Sequence, residues 1–300
     1  MKNLSLRRKA TLIAVTATAL VAGTARAISG DVAVSIQTAH GGPYLPGIPI
    51  LLNVVITNTG TRPTALPEPA FSGRDDPYNA LDILTGRDGE ELARVACVVP
   101  NFGPWKEGLP PVLPSAMALA PGEDYTLTVA LSHDWQRKPI ASLLEPGVLM
   151  VQAALCDYGA DESGGAGIDR TRRVLSNVLQ ITIEKPEGAA ATAWERVKES
   201  ERPWLLAHPA AVEYVTQETD FRRFQEIAGM NAGEYSRHAA ALVAYMFAQG
   251  NALDLNPGRP PQPQVAKQWL DKAMSGKVAA AVPPDWKRLA RKLEKAGTVP

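Results

Sequence analysis

The chain has 300 residues, with 31 Lys/Arg against 31 Asp/Glu, 45% hydrophobic residues, 25 prolines, 24 glycines and 2 cysteines. The balance conceals an asymmetry: residues 28–188 carry 11 basic and 19 acidic side chains, a net −8, while residues 189–300 carry 15 and 12, a net +3. Each half has the length of an ordinary domain, and neither has the positive excess of a nucleic-acid binder.

The first segment reads as an export signal. Lys2, Arg7, Arg8 and Lys9 precede an uncharged run over residues 10–24 that ends in Ala25-Arg26-Ala27, the basic, apolar, small-x-small order of a secretory signal peptide. This predicts a leader over residues 1–27, a mature chain starting at Ile28, and a periplasmic or secreted protein. The run is rich in Ala and Thr and shorter than the roughly 20 apolar residues of a spanning helix, so no stable membrane span is expected after cleavage. Residue 28 is Ile rather than Cys, which argues against a lipid anchor.

Short β-rich runs with Pro and Gly punctuation follow, with candidate strands at residues 32–38, 48–58, 81–84 with 92–99, 124–131, 148–156 and 178–184. The best-marked is entered through Pro46-Gly47-Ile48-Pro49 and left through Asn58-Thr59-Gly60. Pro121-Gly122 and Pro146-Gly147 mark two more turns, Pro presetting φ and Gly accepting positive φ. The spacing predicts an antiparallel sandwich.

This vocabulary resembles that of bacterial immunoglobulin-like modules and of the BsuPI-type proteinase inhibitors over most of residues 30–184. The resemblance implies an Ig-like β-sandwich and leaves activity open, because function on such scaffolds is grafted onto loops. Two loops are long enough for that, residues 63–80 and residues 100–118. The second holds Trp105 in a Pro-rich setting, where covering a sheet edge competes with binding a ligand. Cys97 and Cys156 each follow an apolar run, and in an oxidising compartment the pair is expected to form one disulfide.

Residues 186–191 read as a linker, after which the pattern becomes helical. Thr192-Ala193-Trp194-Glu195 has capping-box spacing. Helices are predicted over residues 209–216, 220–228, 233–249, 263–275 and 284–296, with Gly250, Gly276 and Gly297 as stops. Residues 244–250 with 266–273 resemble one helix pair of a tetratricopeptide or Sel1-like repeat; a lone helical hairpin in a bundle accounts for them equally well.

Searches for chemistry yield little. Metalloprotease, nucleophile-elbow and P-loop spacings are missing from the sequence, and His40, His133, His208 and His238 are scattered. His238, among alanines on a helix, reads as a packing histidine. Two acidic groups, Asp75, Asp76, Asn79 and Asp82, and Asp157, Asp161, Glu162 and Asp169, lack the alternating spacing of a calcium loop. The terminal helix carries Lys287, Arg288, Arg291, Lys292 and Lys295, which read as a solvated face.

The expectation is therefore two domains, an all-β Ig-like antiparallel sandwich over residues 28–185 and a small all-α helical bundle over residues 192–300. The expected function is non-enzymatic binding of a protein partner in the bacterial envelope, without cofactor or metal. Trp105, Tyr235, Tyr245 and Trp269 are the candidate partner-binding aromatics. The alternatives are a proteinase inhibitor acting through a Pro-rich loop and a hydrolase whose site leaves no spacing in the sequence.

Overall fold

The computed structural model describes residues 31–67, 81–95, 116–132, 140–160, 166–200, 202–210, 212, 215, 217–250, 260–277 and 281–297. The expected leader over residues 1–27 lies outside them.

Strands come first. They are β1 (Val32–Thr38), β2 (Ile50–Asn58), β3 (Thr64–Pro67), β4 (Leu81–Arg87), β5 (Ala93–Val95), β6 (Ala116–Leu119), β7 (Asp124–Leu131), β8 (Gly147–Ala160), β9 (Ala166–Leu175) and β10 (Leu179–Ile183). Helices follow: α1 (Gly188–Lys198), α2 (Glu218–Gly229), α3 (Glu234–Gln249), α4 (Pro263–Met274) and α5 (Pro284–Gly297). The strands form three antiparallel sheets, in the orders β1-β2-β7, β10-β8-β4-β5 with β9 also on β8, and β3-β6. The molecule is thus of mixed content, antiparallel sheets followed by helices.

Alternation explains the first sheet. Val32, Val34 and Ile36 of β1 are buried while the residues between them are exposed, and Val34 sits opposite Ile56 in register. Ile36, Val54 and Ile56 share one core with Ile83, Leu149, Val151, Leu155 and Ile181 of the second sheet. Burying side chains of this size stabilises by about 1.5–3 kcal/mol each.

The Asn58-Thr59-Gly60 exit owes its composition to Asn58, which is fully buried. Its Nδ2 donates to the carbonyls of Arg62 and Leu119, both at 2.9 Å, and its Oδ1 accepts from the Gly60 amide at 2.9 Å. One amide side chain thereby ties the end of β2 to the end of β6. A Cβ on Gly60 would meet the Asp31 side chain at 2.8 Å, so any larger residue there forces Asp31 to shift.

The sequence reading missed β3, β6 and β9. In β9 the polar stretch Asp169-Arg170-Thr171-Arg172-Arg173 shows no apolar alternation, because pairing with β8 rather than burial holds it. The first helix starts earlier than its predicted capping box at Thr192. Helix α1 begins at Gly188, and Thr192 lies inside it, donating to the Gly188 carbonyl at 3.4 Å instead of capping. Ala189, Ala190 and Ala191 have the highest helix propensity of any residue and carry the helix back into the expected linker. Residues 203–206 form a 3-10 turn, and the helix expected over residues 209–216 falls partly outside the described residues.

The helices pack around Leu205, Phe224, Ile227, Tyr235, Leu242, Leu270 and Trp286. Ile48, from the connection between β1 and β2, belongs to that helical core, with Leu45 packed against it. Tyr235 stacks on Trp194 at 5.8 Å between centroids and donates its hydroxyl to the Pro46 carbonyl at 2.8 Å. The entry motif of β2 is therefore a wedge seated among the helices.

Candidate functional site

The wedge and the residues after β10 bound an open cleft of about 850 Å³. Leu45, Glu184, Glu187, Ala189, Asn231 and Arg237 are among its walls, so it draws on the β1–β2 connection, the end of β10 and the first turns of α1 and α3. It carries both signs of charge, with Leu45 and Ile183 among its apolar wall residues. Its volume is within the ordinary range for ligand pockets.

Glu234 and Arg237 of the cleft wall belong to a partly buried ionic clamp. Glu234 and His238 stand one turn apart on α3, and Lys277, only 4% exposed, enters from the connection between α4 and α5. Lys277 Nζ donates to Glu234 Oε2 at 2.5 Å, and Arg237 donates to Glu234 Oε1 at 2.7 Å. Burial alone would raise the pKa of Glu234, but neighbouring His238 and Lys277, with hydrogen bonds from Lys277 and Arg237, outweigh it and hold the carboxyl below its usual value.

His238 is 2% exposed and meets the Trp286 indole edge-on at 4.9 Å. Burial, reinforced by the Lys277 charge, depresses its pKa to about 3. The ring lines two small cavities of about 10 Å³ each, one with His40, Tyr44, Glu234 and Lys277, the other with Ser132, His208, Asp285 and Trp286. Burial raises Asp285 to about 6, against hydrogen bonds from its own amide and that of Trp286. Each cavity has room for about one water molecule.

The predicted site residues divide sharply. Trp105 and its Pro-rich loop lie outside the described residues. Tyr235 is fully buried and bonded to Pro46, and Tyr245 is buried with its hydroxyl on the Asp285 carbonyl at 2.8 Å. Neither is a surface anchor, which corrects the sequence reading: both are inter-helix core whose polar tips close internal bonds. Trp269 is half-buried against the helical core, with Lys272 5.3 Å from its ring centroid.

Cys156 is buried on β8, its Sγ 3.7 Å from Asp82 Oδ2. Cys97 lies outside the described residues, and nothing among those residues supports the expected bridge. Asp75, Asp76, Asn79, Asp161 and Glu162 also lie outside. Asp82 pairs with Arg94 at 2.7 Å and Asp157 with Arg172 at 3.4 Å. Among the described residues no group of His, Cys, Asp and Glu is arranged to hold a metal.

The clamp escaped the sequence reading. Its one local signal is the Glu234/His238 spacing of four at the start of an otherwise apolar, Ala-rich helix, while Lys277 arrives from far along the chain. The cleft has no sequence signal, since its walls come from segments about 190 residues apart.

No family model matches the chain, and no curated protein does. Among solved structures it is similar to a β-glucosidase from Listeria innocua (TM-score 0.23, 14% identity, 51% of this chain, 16% of that one). It is similar also to a Bacteroides uniformis β-glucuronidase (TM-score 0.22, 12% identity, 81% and 26%) and to the α2-macroglobulin of E. coli (TM-score 0.23, 12% identity, 88% and 16%). The chain spans about a sixth of the β-glucosidase chain.

Proposed function

We propose that this chain is a non-enzymatic, exported binding protein in which an Ig-like β-sandwich and a helical interaction unit together form a cleft for a protein segment. The observation that carries the reading is the cleft itself, open, of ligand size, and walled by both parts of the chain. Its mixed charge and apolar wall residues suit a polypeptide segment, which offers side chains of both kinds along its length. In the cleft wall the Glu234 carboxylate is already held by Lys277 and Arg237, which suits a fixed binding surface. The sandwich reading is supported by the core shared between the first two sheets, and export by the leader-like N-terminal sequence.

Affinity capture from the native envelope with residues 28–300 as bait tests this. Ala189 and Asn231 are exposed at the cleft wall, so Ala189→Trp and Asn231→Trp fill it without disturbing the core. Both should abolish capture of any partner retained by the parent. Capture of the same proteins by the filled variants would overturn the cleft reading.

A further inference from the structure

The face of α5 turned away from the core carries a different signal. Trp286, Leu289 and Leu293 are buried, and Lys287, Arg288, Arg291, Lys292 and Lys295 are exposed. At 100° per residue those five side chains sweep an unbroken arc of about 140°, over roughly 12 Å of helix. The helix's exposed carboxylate, Glu294, falls at the margin of the arc. It lies toward α4, where it helps stabilise the Lys267 charge after the larger influence of Asp271. Lys287, Arg291 and Lys292 form no ion pair with a described residue. Arg288 is engaged within the helix, its charge acting on buried Asp285 three residues back.

We propose that this face of α5 is an electrostatic docking surface for an anionic phospholipid membrane, on which the protein lies peripherally. Charge complementarity is one argument: five cations without an interleaved acid match a surface of like, closely spaced phosphates. Polarity supplies the other. The exposed large apolar side chains of the described residues, Leu175 and Val178, are on the β part. A protein partner usually needs a desolvated apolar anchor at the centre of its contact, which this face lacks, whereas a charged bilayer surface does not require one. The apolar side of α5 is used in the core, so the helix adsorbs without inserting. Among the described residues no helix is long and apolar enough to cross a membrane.

The experiment is vesicle co-sedimentation of residues 28–300 with phosphatidylglycerol-containing and with pure phosphatidylcholine vesicles. Binding is expected to the first alone, and to vanish at high salt as the charges are screened. Each basic residue at an anionic surface strengthens partitioning about fivefold, so Lys287→Gln, Arg291→Gln and Lys292→Gln together should weaken it roughly a hundredfold. A control with Arg62→Gln, Lys198→Gln and Arg222→Gln changes net charge equally and should bind nearly as the parent does. Thermal unfolding of both triple variants confirms that they fold. Equal binding to the two vesicle types, equal losses in both triple variants, or retention of an acidic polypeptide with no vesicle binding would each overturn the proposal.

Discussion

Gly47 and Trp194 are in contact so close that the glycine is obligatory. A Cβ on Gly47 would lie 2.5 Å from Cζ3 of the indole, and its backbone adopts φ of 71°. Two unrelated constraints, steric and conformational, thus meet where the β2 entry wedge enters the helices.

Gly47→Ala is expected to destabilise the protein by about 2–4 kcal/mol, since it combines an unfavourable φ with overpacking against an aromatic ring. Trp194→Ala should cost about 3–5 kcal/mol. Tyr235→Phe should cost only about 1–2 kcal/mol, leaving the Pro46 carbonyl without its donor. Urea unfolding of the three variants checks the ranking. A Gly47→Ala protein as stable as the parent would contradict the contact.

If the wedge completes the helical core, residues 186–300 alone lack Leu45 and Ile48 and expose the surface those side chains cover. The fragment should melt at lower temperature than the helical part of the intact chain and bind a hydrophobic dye. Calorimetry of fragment and parent measures this; a fragment melting at the parent's temperature would show that the helices form an independent domain.

The pH dependence of stability should come from two opposed groups. Asp285 titrates near 6 in the folded protein against 3.8 ordinarily, so its contribution is fully present below about 3.8 and is lost as pH rises through 6. His238 titrates near 3 against 6.5, so its contribution is present above 6.5 and is lost as pH falls toward 3. Between pH 4 and 6 they oppose each other and flatten the parent's profile. Asp285→Asn should gain stability at pH 7 and then lose it on acidification by about 1 kcal/mol per pH unit. Chemical denaturation at half-unit intervals reads this directly, and an unchanged profile in Asp285→Asn would remove Asp285 from the account.

The expected Cys97–Cys156 disulfide faces a geometric condition. Strands β5 and β8 flank β4 on opposite sides, with Val95 opposite Ile83 and Ala153 opposite Ile83 from the other edge. Two ladder spacings separate them by about 10 Å, beyond the roughly 7 Å between Cα atoms that a disulfide spans. The bridge therefore requires the chain to leave that ladder between Val95 and Cys97. Intact mass after alkylation of the unreduced, denatured protein decides it. A bridged protein takes up no label and loses about 2–4 kcal/mol with Cys97→Ser, whereas two labelled thiols would remove the bridge.

What the sequence alone determined lies in elements whose signal is local. The alternation of Val32, Val34 and Ile36, the Asn58-Thr59-Gly60 exit and the glycine stops after α3 and α4 were legible because propensity, period and turn chemistry act over a few residues. The β-then-α order follows from the same signals. Only tertiary structure decided the rest. Tyr235 and Tyr245 looked like anchors because a sequence cannot say which face of a helix will be covered, and packing turned both inward. Strand β9 exists because β8 offers it a ladder, and Pro46-Gly47-Ile48 became a wedge because α1 and α3 close over it. The cleft and the Glu234–Lys277 clamp belong to no segment of the chain. They arise where distant segments share one volume, and burial and charge there are set by neighbours that sequence proximity does not supply.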